Sequence, residues 1–165
     1  MVLSSATVTS TAVDLVTTLA IAAPLDTDGG IEMTILRVRY IGDLQTTITH
    51  ESGVEIKTDA PKDHAGQGRS FAPTDLLASS IGAASITYLA IQAKKLGMPD
   101  LTDSTVEVEK VISVAPPRRV SRINISITLS SSLNPRQVSE LQWMVYNNPV
   151  LLSVQDSIAV HYYWK

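Results

Sequence analysis

Cysteine is absent from this 165-residue chain. The absence excludes disulfides, thiolate-bound metals and any cysteine nucleophile, whatever the fold. Charge is also scarce, because Asp, Glu, Lys and Arg make up 18% of the residues while hydrophobic residues make up 44%. A single domain of this length can bury a substantial core. Because so few residues are charged, we also expect that a partner covers part of the surface.

Basic residues are missing from the start of the chain, where no Lys or Arg precedes Arg37. A secretory signal has a basic segment before its apolar run, whereas here Asp14 stands just before the apolar run 15–25. We therefore expect a cytoplasmic protein. The apolar side chains also predict that residues 1–32 are an arm that docks on a partner subunit, with a poorly ordered extension as the alternative. The domain itself is expected over residues 33–165.

Charge is missing altogether from residues 76–93. A membrane-spanning helix needs about 20 mainly apolar residues. This stretch instead includes five polar ones: Ser79, Ser80, Ser85, Thr87 and Gln92. We therefore interpret it as a buried central helix and expect no membrane association. The formal net charge of -3 offers no broad attraction for nucleic acid, which is not expected as a partner either.

Alternating apolar and polar residues predict strands on both sides of this helix. Three short strands are expected over residues 34–58 and a long hairpin over residues 105–129. Asn134 and Asn148 each precede a proline and predict the starts of two later helices, and residues 158–164 predict a last strand. This order predicts an α+β fold with mainly antiparallel sheets. One sheet would leave part of so apolar a helix uncovered, which favours a homodimer.

Two stretches resemble the motifs of a known family. The first begins with Asp59-Ala-Pro and a Gly-rich loop and continues through Pro73-Thr-Asp-Leu-Leu-Ala-Ser-Ser-Ile-Gly-Ala-Ala-Ser-Ile-Thr, and the second is Asn147-Asn-Pro-Val. Both are similar to motifs of the OsmC/Ohr family, the osmotically inducible and organic hydroperoxide resistance proteins. The predicted element order fits that family across residues 33–165. The resemblance implies a stress-related protein and an intertwined homodimer whose antiparallel sheets wrap around paired central helices.

The two reactive cysteines of that family are replaced here. By the resemblance, peroxidase members carry one in the central helix, at the position of Ala84, and one in the second motif, at the position of Asn148. Alanine and asparagine can neither attack the O–O bond of a peroxide nor form a disulfide. The thiol peroxidase reaction of the family is therefore expected to be absent.

The resemblance also implies a helper carboxylate near the start of the helix and an arginine in an early strand. The carboxylate corresponds to Thr74 in members that read Pro-Glu and to Asp75 in members that read Pro-Thr-Glu, and we prefer Asp75. An acidic residue also suits the first turn of any helix. The arginine corresponds to Arg37 or Arg39, and no motif decides between them.

Two functional hypotheses follow. In the first, the chain is a non-catalytic dimer whose former active-site pocket supports the fold or binds a small apolar molecule. In the second, it is an enzyme with hydrolase-like, non-thiol chemistry that uses Asp75 and a hydroxyl or an arginine. No Gly-x-Ser-x-Gly turn presents a serine for that chemistry. The predicted pocket residues are Asp75, Ala84, Ser85, Tyr88 and Asn148.

The remaining polar clusters carry weaker signals. The three histidines lack metal-ligand spacing, and we expect neither a metal nor a cofactor. Asp59, Asp63 and His64 in the Gly-rich loop allow a metal site, but solvated loop residues are the simpler interpretation. Arg118, Arg119 and Arg122 form a basic tip on the predicted hairpin, where a solvated turn and a contact with an acidic ligand or partner both remain open.

Overall fold

The computed structural model describes residues 33–130 and 132–165. Its strands are β1 (Arg37–Gly42), β2 (Gln45–Thr49), β3 (Glu55–Asp59), β4 (Thr105–Ile112), β5 (Val120–Thr128) and β6 (Ala159–Trp164). Its helices are α1 (Pro73–Lys95), α2 (Pro135–Met144) and α3 (Pro149–Val154), with short 3-10 turns at Lys62–His64 and Val145–Asn147. The predicted α+β class and long helix are confirmed. The predicted arm or extension over residues 1–32 lies outside the described residues.

The two sheets follow the predicted antiparallel pattern to different extents. β1, β2 and β3 form an antiparallel meander in that order. β4 and β5 form the predicted hairpin, but β6 lies parallel to β5. Parallel pairing needs a long crossover, and the segment that contains α2 and α3 provides it. Alternation of apolar residues identified β6 as a strand but carries no information about its direction.

Alternation along the strands gives the first sheet one apolar face. Val38 lies opposite Ile48, and Ile48 lies opposite Ile56, so the three side chains form a row across the sheet. Val38 and Tyr40 on this face are 65% and 64% exposed. The described part of the chain therefore leaves the apolar face of this sheet open to solvent.

The second sheet packs against α1 and forms the core. Ile123, Ile125 and Ile127 alternate along β5, and all three are fully buried. Gly82 lets α1 approach β4 closely, because a Cβ at this position would lie 2.5 Å from Cγ2 of Val108. The helices contribute further buried residues to the same core: Ala78, Ile81, Leu89, Ala93, Leu141 and Val145.

α1 is long and apolar enough to cross a membrane when only its length and composition are considered. Core helices of soluble proteins pass the same test. Ile81 and Leu89 of α1 are fully buried against the second sheet and the other helices. This packing favours the interpretation of α1 as a core helix.

The helices after β5 begin where the sequence predicts. Oδ1 of Asn134 accepts a hydrogen bond from the backbone N–H of Gln137 at 3.0 Å, and Oε1 of Gln137 accepts one from the backbone N–H of Asn134 at 2.9 Å. This reciprocal pair is a capping box. Asn148 also caps α3, because its Oδ1 accepts a hydrogen bond from the backbone N–H of Leu151.

Candidate functional site

Asn148 uses both ends of its side-chain amide to hold the backbone. Nδ2 donates to the carbonyl of Val145 at 3.0 Å, and Oδ1 accepts from the backbone N–H of Leu151 at 2.9 Å. The side chain is fully buried. The amide therefore joins the 3-10 turn after α2 to the first turn of α3, at the position where the resemblance places a reactive cysteine.

Two hydroxyl groups lie beside this amide. Oγ of Ser85 donates to the carbonyl of Ile81 at 2.7 Å and lies 2.8 Å from the hydroxyl oxygen of Tyr162. Because the single proton of the serine hydroxyl is directed at Ile81, Tyr162 is the donor in the second bond. Nδ2 of Asn148 lies 3.4 Å from each hydroxyl oxygen. Ser85, Asn148 and Tyr162 together are called the buried polar cluster below.

Burial of the phenol raises the pKa of Tyr162, although the hydrogen bonds with Ser85 and Asn148 act in the opposite direction. Tyr146 packs edge-on against Tyr162 with 5.4 Å between the ring centroids and contributes a smaller increase. The phenol therefore stays protonated at neutral pH and acts as a hydrogen-bond donor. It does not act as a base in this cluster.

Sequence reasoning did not include Tyr162 among the site residues. The alternation along β6 places Tyr162 on the same side as Val160 and Trp164. This is the one feature of the sequence that indicates burial of Tyr162. Its contact with Ser85 depends on the parallel pairing that sets Tyr162 opposite Ile125 of β5. A contact between residues so distant in sequence cannot be read from either local pattern.

The serine hydroxyls do not form a nucleophilic site with a histidine in the described residues. Ser85 is fully buried, and Ser79 and Ser80 donate to backbone carbonyls of their own helix at 2.7 Å each. Nδ1 of His64 lies 3.1 Å from Oδ1 of Asp63. The three serine hydroxyls donate hydrogen bonds to backbone carbonyls of α1, as serines in helices commonly do.

Asp75 lies in a separate cluster at the start of α1. Its Oδ2 accepts from the backbone N–H of Ala72 at 2.7 Å, and its Oδ1 forms an ion pair with Nζ of Lys110. Nζ of Lys110 also donates to Oγ1 of Thr74 at 2.8 Å. Lys110 thus contacts both positions that the resemblance offers for the helper carboxylate.

The pKa of Asp75 lies below its usual value of 3.8. Desolvation of the carboxylate raises the pKa, but the hydrogen bonds from Lys110 and Ala72 together outweigh it. Asp75 is therefore ionised at neutral pH. This charge state suits an N-terminal helix position and an ion pair better than it suits a general acid.

The other predicted site residues are more dispersed. Arg37 and Arg39 are exposed and lie on the polar face of the first sheet, and no ion pair joins either of them to another described residue. Ala84 and Tyr88 are half-buried on α1. The structure thus brings Ser85 and Asn148 together and sets Asp75 in a different cluster. The pocket role of these residues stays a prediction.

The Gly-rich loop is closed by Asp59, whose side chain is fully buried. Oδ2 of Asp59 accepts from the backbone N–H and from Nε of Arg69, both at 2.9 Å. Hydrogen bonds from the Arg69 backbone and guanidinium lower the pKa of Asp59. Gly66 lies against Ala60, where a Cβ would be 1.8 Å from the carbonyl oxygen. Within residues 33–130 and 132–165, no group of three acidic or histidine side chains is arranged to hold a metal.

Three grooves lie elsewhere on the described surface. A groove of about 570 Å³ lies between the Gly-rich loop, the start of α1 and the tip of the β4–β5 hairpin. A groove of about 320 Å³ contains Asp75 and Lys110, and one of about 360 Å³ lies on the outer face of the second sheet. Of the five predicted pocket residues, Asp75 alone lines one of these three grooves.

Comparisons with known proteins agree on one family. A model of the OsmC-like protein family matches residues 66–160. The structure of an osmotic stress induced and detoxification response protein of Psychrobacter arcticus is 36% identical, with a TM-score of 0.75, and the match covers 82% of this chain and 98% of that one. No curated protein matches the chain in sequence.

More distant structures share the fold. An organic hydroperoxide resistance protein OsmC of Legionella pneumophila is 15% identical with a TM-score of 0.68, and the match covers 83% of this chain and 99% of that one. The organic hydroperoxide resistance protein OhrB of Bacillus subtilis is 18% identical with a TM-score of 0.63, covering 81% of this chain and 98% of that one. Two sheets and a long helix are thus common to all three relatives and this chain.

Replacement of Tyr162 by phenylalanine should lower the free energy of unfolding by about 1 to 2 kcal/mol, because Ser85 and Asn148 lose a buried hydrogen-bond partner. Tyr163→Phe is the matched control, since Tyr163 is its neighbour on the opposite, exposed face of β6. Urea unfolding at one fixed protein concentration measures both changes. Equal stability losses in the two variants would contradict the assignment.

Replacement of Asp75 by asparagine should lower the free energy of unfolding by about 0.5 kcal/mol at neutral pH, because the ion pair with Lys110 is partly exposed and solvent screens it. The pKa of Asp75 is lower in the folded state than in the unfolded chain. The stabilisation from its ion pair is therefore complete at pH values above 3.8 and is lost as the pH falls through the pKa of the folded state. The difference between the two proteins should therefore shrink in acid.

Urea unfolding measured across the acidic pH range follows this change. Asp156→Asn removes an exposed carboxylate for which no ion pair is seen among the described residues, and it should show no such pH dependence. A difference between wild type and Asp75→Asn that grows in acid would contradict the ion-pair account.

Proposed function

Because this chain belongs to the OsmC-like family and contains no cysteine, we propose that it has no thiol peroxidase activity and acts as a non-catalytic homodimer. Reduction of a peroxide by thiols needs one thiolate to attack the O–O bond and a second thiol to close the disulfide. Neither sulfur atom is available in this chain. The proposal includes a link to osmotic or oxidative stress, which the description of the Psychrobacter arcticus relative supports. It also includes a cytoplasmic location.

The amide of Asn148 is the observation that carries this proposal. Its donor and acceptor atoms are both committed to backbone groups, and its remaining contacts are the hydroxyls of Ser85 and Tyr162. The one titratable group in this cluster is Tyr162, whose pKa is raised. A position that carries reactive sulfur in peroxidase members is thus occupied by a group that stabilises the fold and transfers no proton at neutral pH.

A second candidate is an enzyme with non-thiol chemistry at the start of α1. Asp75, Lys110 and Thr74 place a carboxylate, an ammonium and a hydroxyl in contact beside a groove of about 320 Å³. The lowered pKa of Asp75 makes it a weak base at neutral pH, and its oxygens already accept bonds from Ala72 and Lys110. These contacts support a structural role for Asp75 better than a catalytic one.

The full chain should not catalyse reduction of an organic hydroperoxide by a dithiol, because it has no cysteine thiolate to attack the peroxide. The test follows cumene hydroperoxide with dithiothreitol as reductant, and the Bacillus subtilis relative named above serves as the positive control. Peroxide consumption should equal that of a sample without protein. Consumption that rises in proportion to the concentration of this protein would overturn the proposal.

The homodimer part of the proposal is supported by the apolar face of the first sheet. This face carries Val38, Tyr40, Ile48 and Ile56, and Ile56 is 44% exposed. Burial of apolar surface contributes about 25 cal/mol per Å², so a face of this kind is stabilised by a partner. A second copy of this chain is the partner that the family implies.

Val38→Lys should shift the protein from dimer to monomer, because a charged side chain on the apolar face opposes burial of that face. Sedimentation equilibrium measures the dissociation constant, which should rise by about 100-fold or more. Thr49→Lys adds the same charge to the opposite, polar face of the sheet and should leave the constant within about threefold of wild type. A wild-type protein that is monomeric at micromolar concentration would contradict the proposal.

A further inference from the structure

The largest of the three grooves is separate from the buried polar cluster. None of Ser85, Asn148 and Tyr162 lines it. Its volume of about 570 Å³ is within the range of small-molecule sites in proteins. Most of its wall surface is apolar, and the polar side chains of Asp63, His64 and Thr74 also line it. The apolar lining residues are Ala60, Pro61, Ala72, Pro73, Ile112 and Val120.

Three cationic side chains also line this groove, and two of them are paired. Lys110 forms its ion pair with Asp75, and Nη2 of Arg118 lies 3.3 Å from Oδ2 of Asp63. Arg119 forms no ion pair with any residue that the structure describes. The groove therefore contains one positive charge that no described carboxylate balances.

The guanidinium of Arg119 makes few hydrogen bonds to the described residues. It donates one long hydrogen bond, from Nη1 to the carbonyl of Ser157 at 3.4 Å. The backbone of Arg119 is held firmly, since its N–H donates to Oγ of Ser113 at 3.0 Å and its carbonyl accepts from the N–H of Ser113 at 2.9 Å. The side chain thus extends from a backbone position that is held by Ser113, and its single hydrogen bond to a described residue leaves N–H groups available to a ligand.

We propose that this groove binds a small apolar molecule that carries a single carboxylate. The carboxylate accepts paired hydrogen bonds from Arg119, a geometry that matches the planar guanidinium. The apolar body lies against Ile112 and Val120, where its burial contributes to binding. One unbalanced positive charge matches a monoanion better than a phosphate dianion, and the largely apolar wall surface suits an apolar body better than a sugar. This inference holds whether or not the protein retains any catalytic activity.

A matched pair of probes tests the requirement for a carboxylate. Isothermal titration of the full chain at neutral pH compares 4-phenylbutyrate with 4-phenylbutanol, which has the same apolar body and no charge. The acid should bind at least about tenfold more tightly than the alcohol. Added sodium chloride should weaken binding of the acid and leave binding of the alcohol unchanged, because salt screens only the charged contact.

Substitutions inside and outside the groove test whether the probes bind there. Arg119→Gln should lower affinity for the acid about tenfold and leave affinity for the alcohol unchanged. Arg136→Gln removes the same charge from α2, outside the groove, and should have no effect on either probe. Ile112→Ala should weaken both probes, because it removes part of the apolar wall.

Three results would overturn the proposal. They are equal affinity for the acid and the alcohol in the wild-type protein, a loss in Arg136→Gln as large as that in Arg119→Gln, and no binding of either probe at millimolar concentration. The first and third are measured on the wild-type protein, so they stand even if a variant fails to fold. A peroxidase assay on the same sample reports on the proposed function separately.

Discussion

Hydrogen bonds from one buried amide connect four separate parts of this fold. Asn148 caps α3, donates to the carbonyl of Val145 at the start of the 3-10 turn that follows α2, and contacts one hydroxyl from α1 and another from β6. A buried amide without hydrogen-bond partners would destabilise the fold by about 1 to 3 kcal/mol. The partners of Asn148 must therefore be in place when its side chain is buried. The parallel pairing of β6 with β5 and the start of α3 at Asn148 bring these polar groups together beside α1.

The same arrangement explains how a family fold can persist without the chemistry of its peroxidase members. Burial keeps the Tyr162 phenol protonated, and Ser85 directs its own proton at a backbone carbonyl. The cluster is therefore polar and satisfied but offers no nucleophile and no base. The described surface carries an exposed apolar sheet face and a groove with one unbalanced cation, on which the proposed dimer and the proposed ligand site rest.

Local patterns in the sequence predicted most of the elements, because the information for each was contained within a few residues. Asn134 and Asn148 before proline marked two helix starts, and the charge-free stretch marked α1. The contacts of the candidate site were not predictable in this way. Tyr162 meets Ser85, and Lys110 meets Asp75, across 77 and 35 residues of sequence, and each contact depends on strand direction and register. The expected pocket beside Ala84 and Tyr88 was inferred from the resemblance alone and stays a prediction.

The most direct test of the account is the stability of Asn148→Cys, which returns a cysteine to the position where the resemblance places one. Urea unfolding at fixed protein concentration should show a loss of about 2 kcal/mol, because the cap of α3 and the partners of two hydroxyls are removed. Asn147→Cys, at the exposed neighbouring position, should stay within about 0.5 kcal/mol of wild type. If Asn148→Cys were as stable as wild type, the amide would not be what holds these elements together, and the account would be wrong.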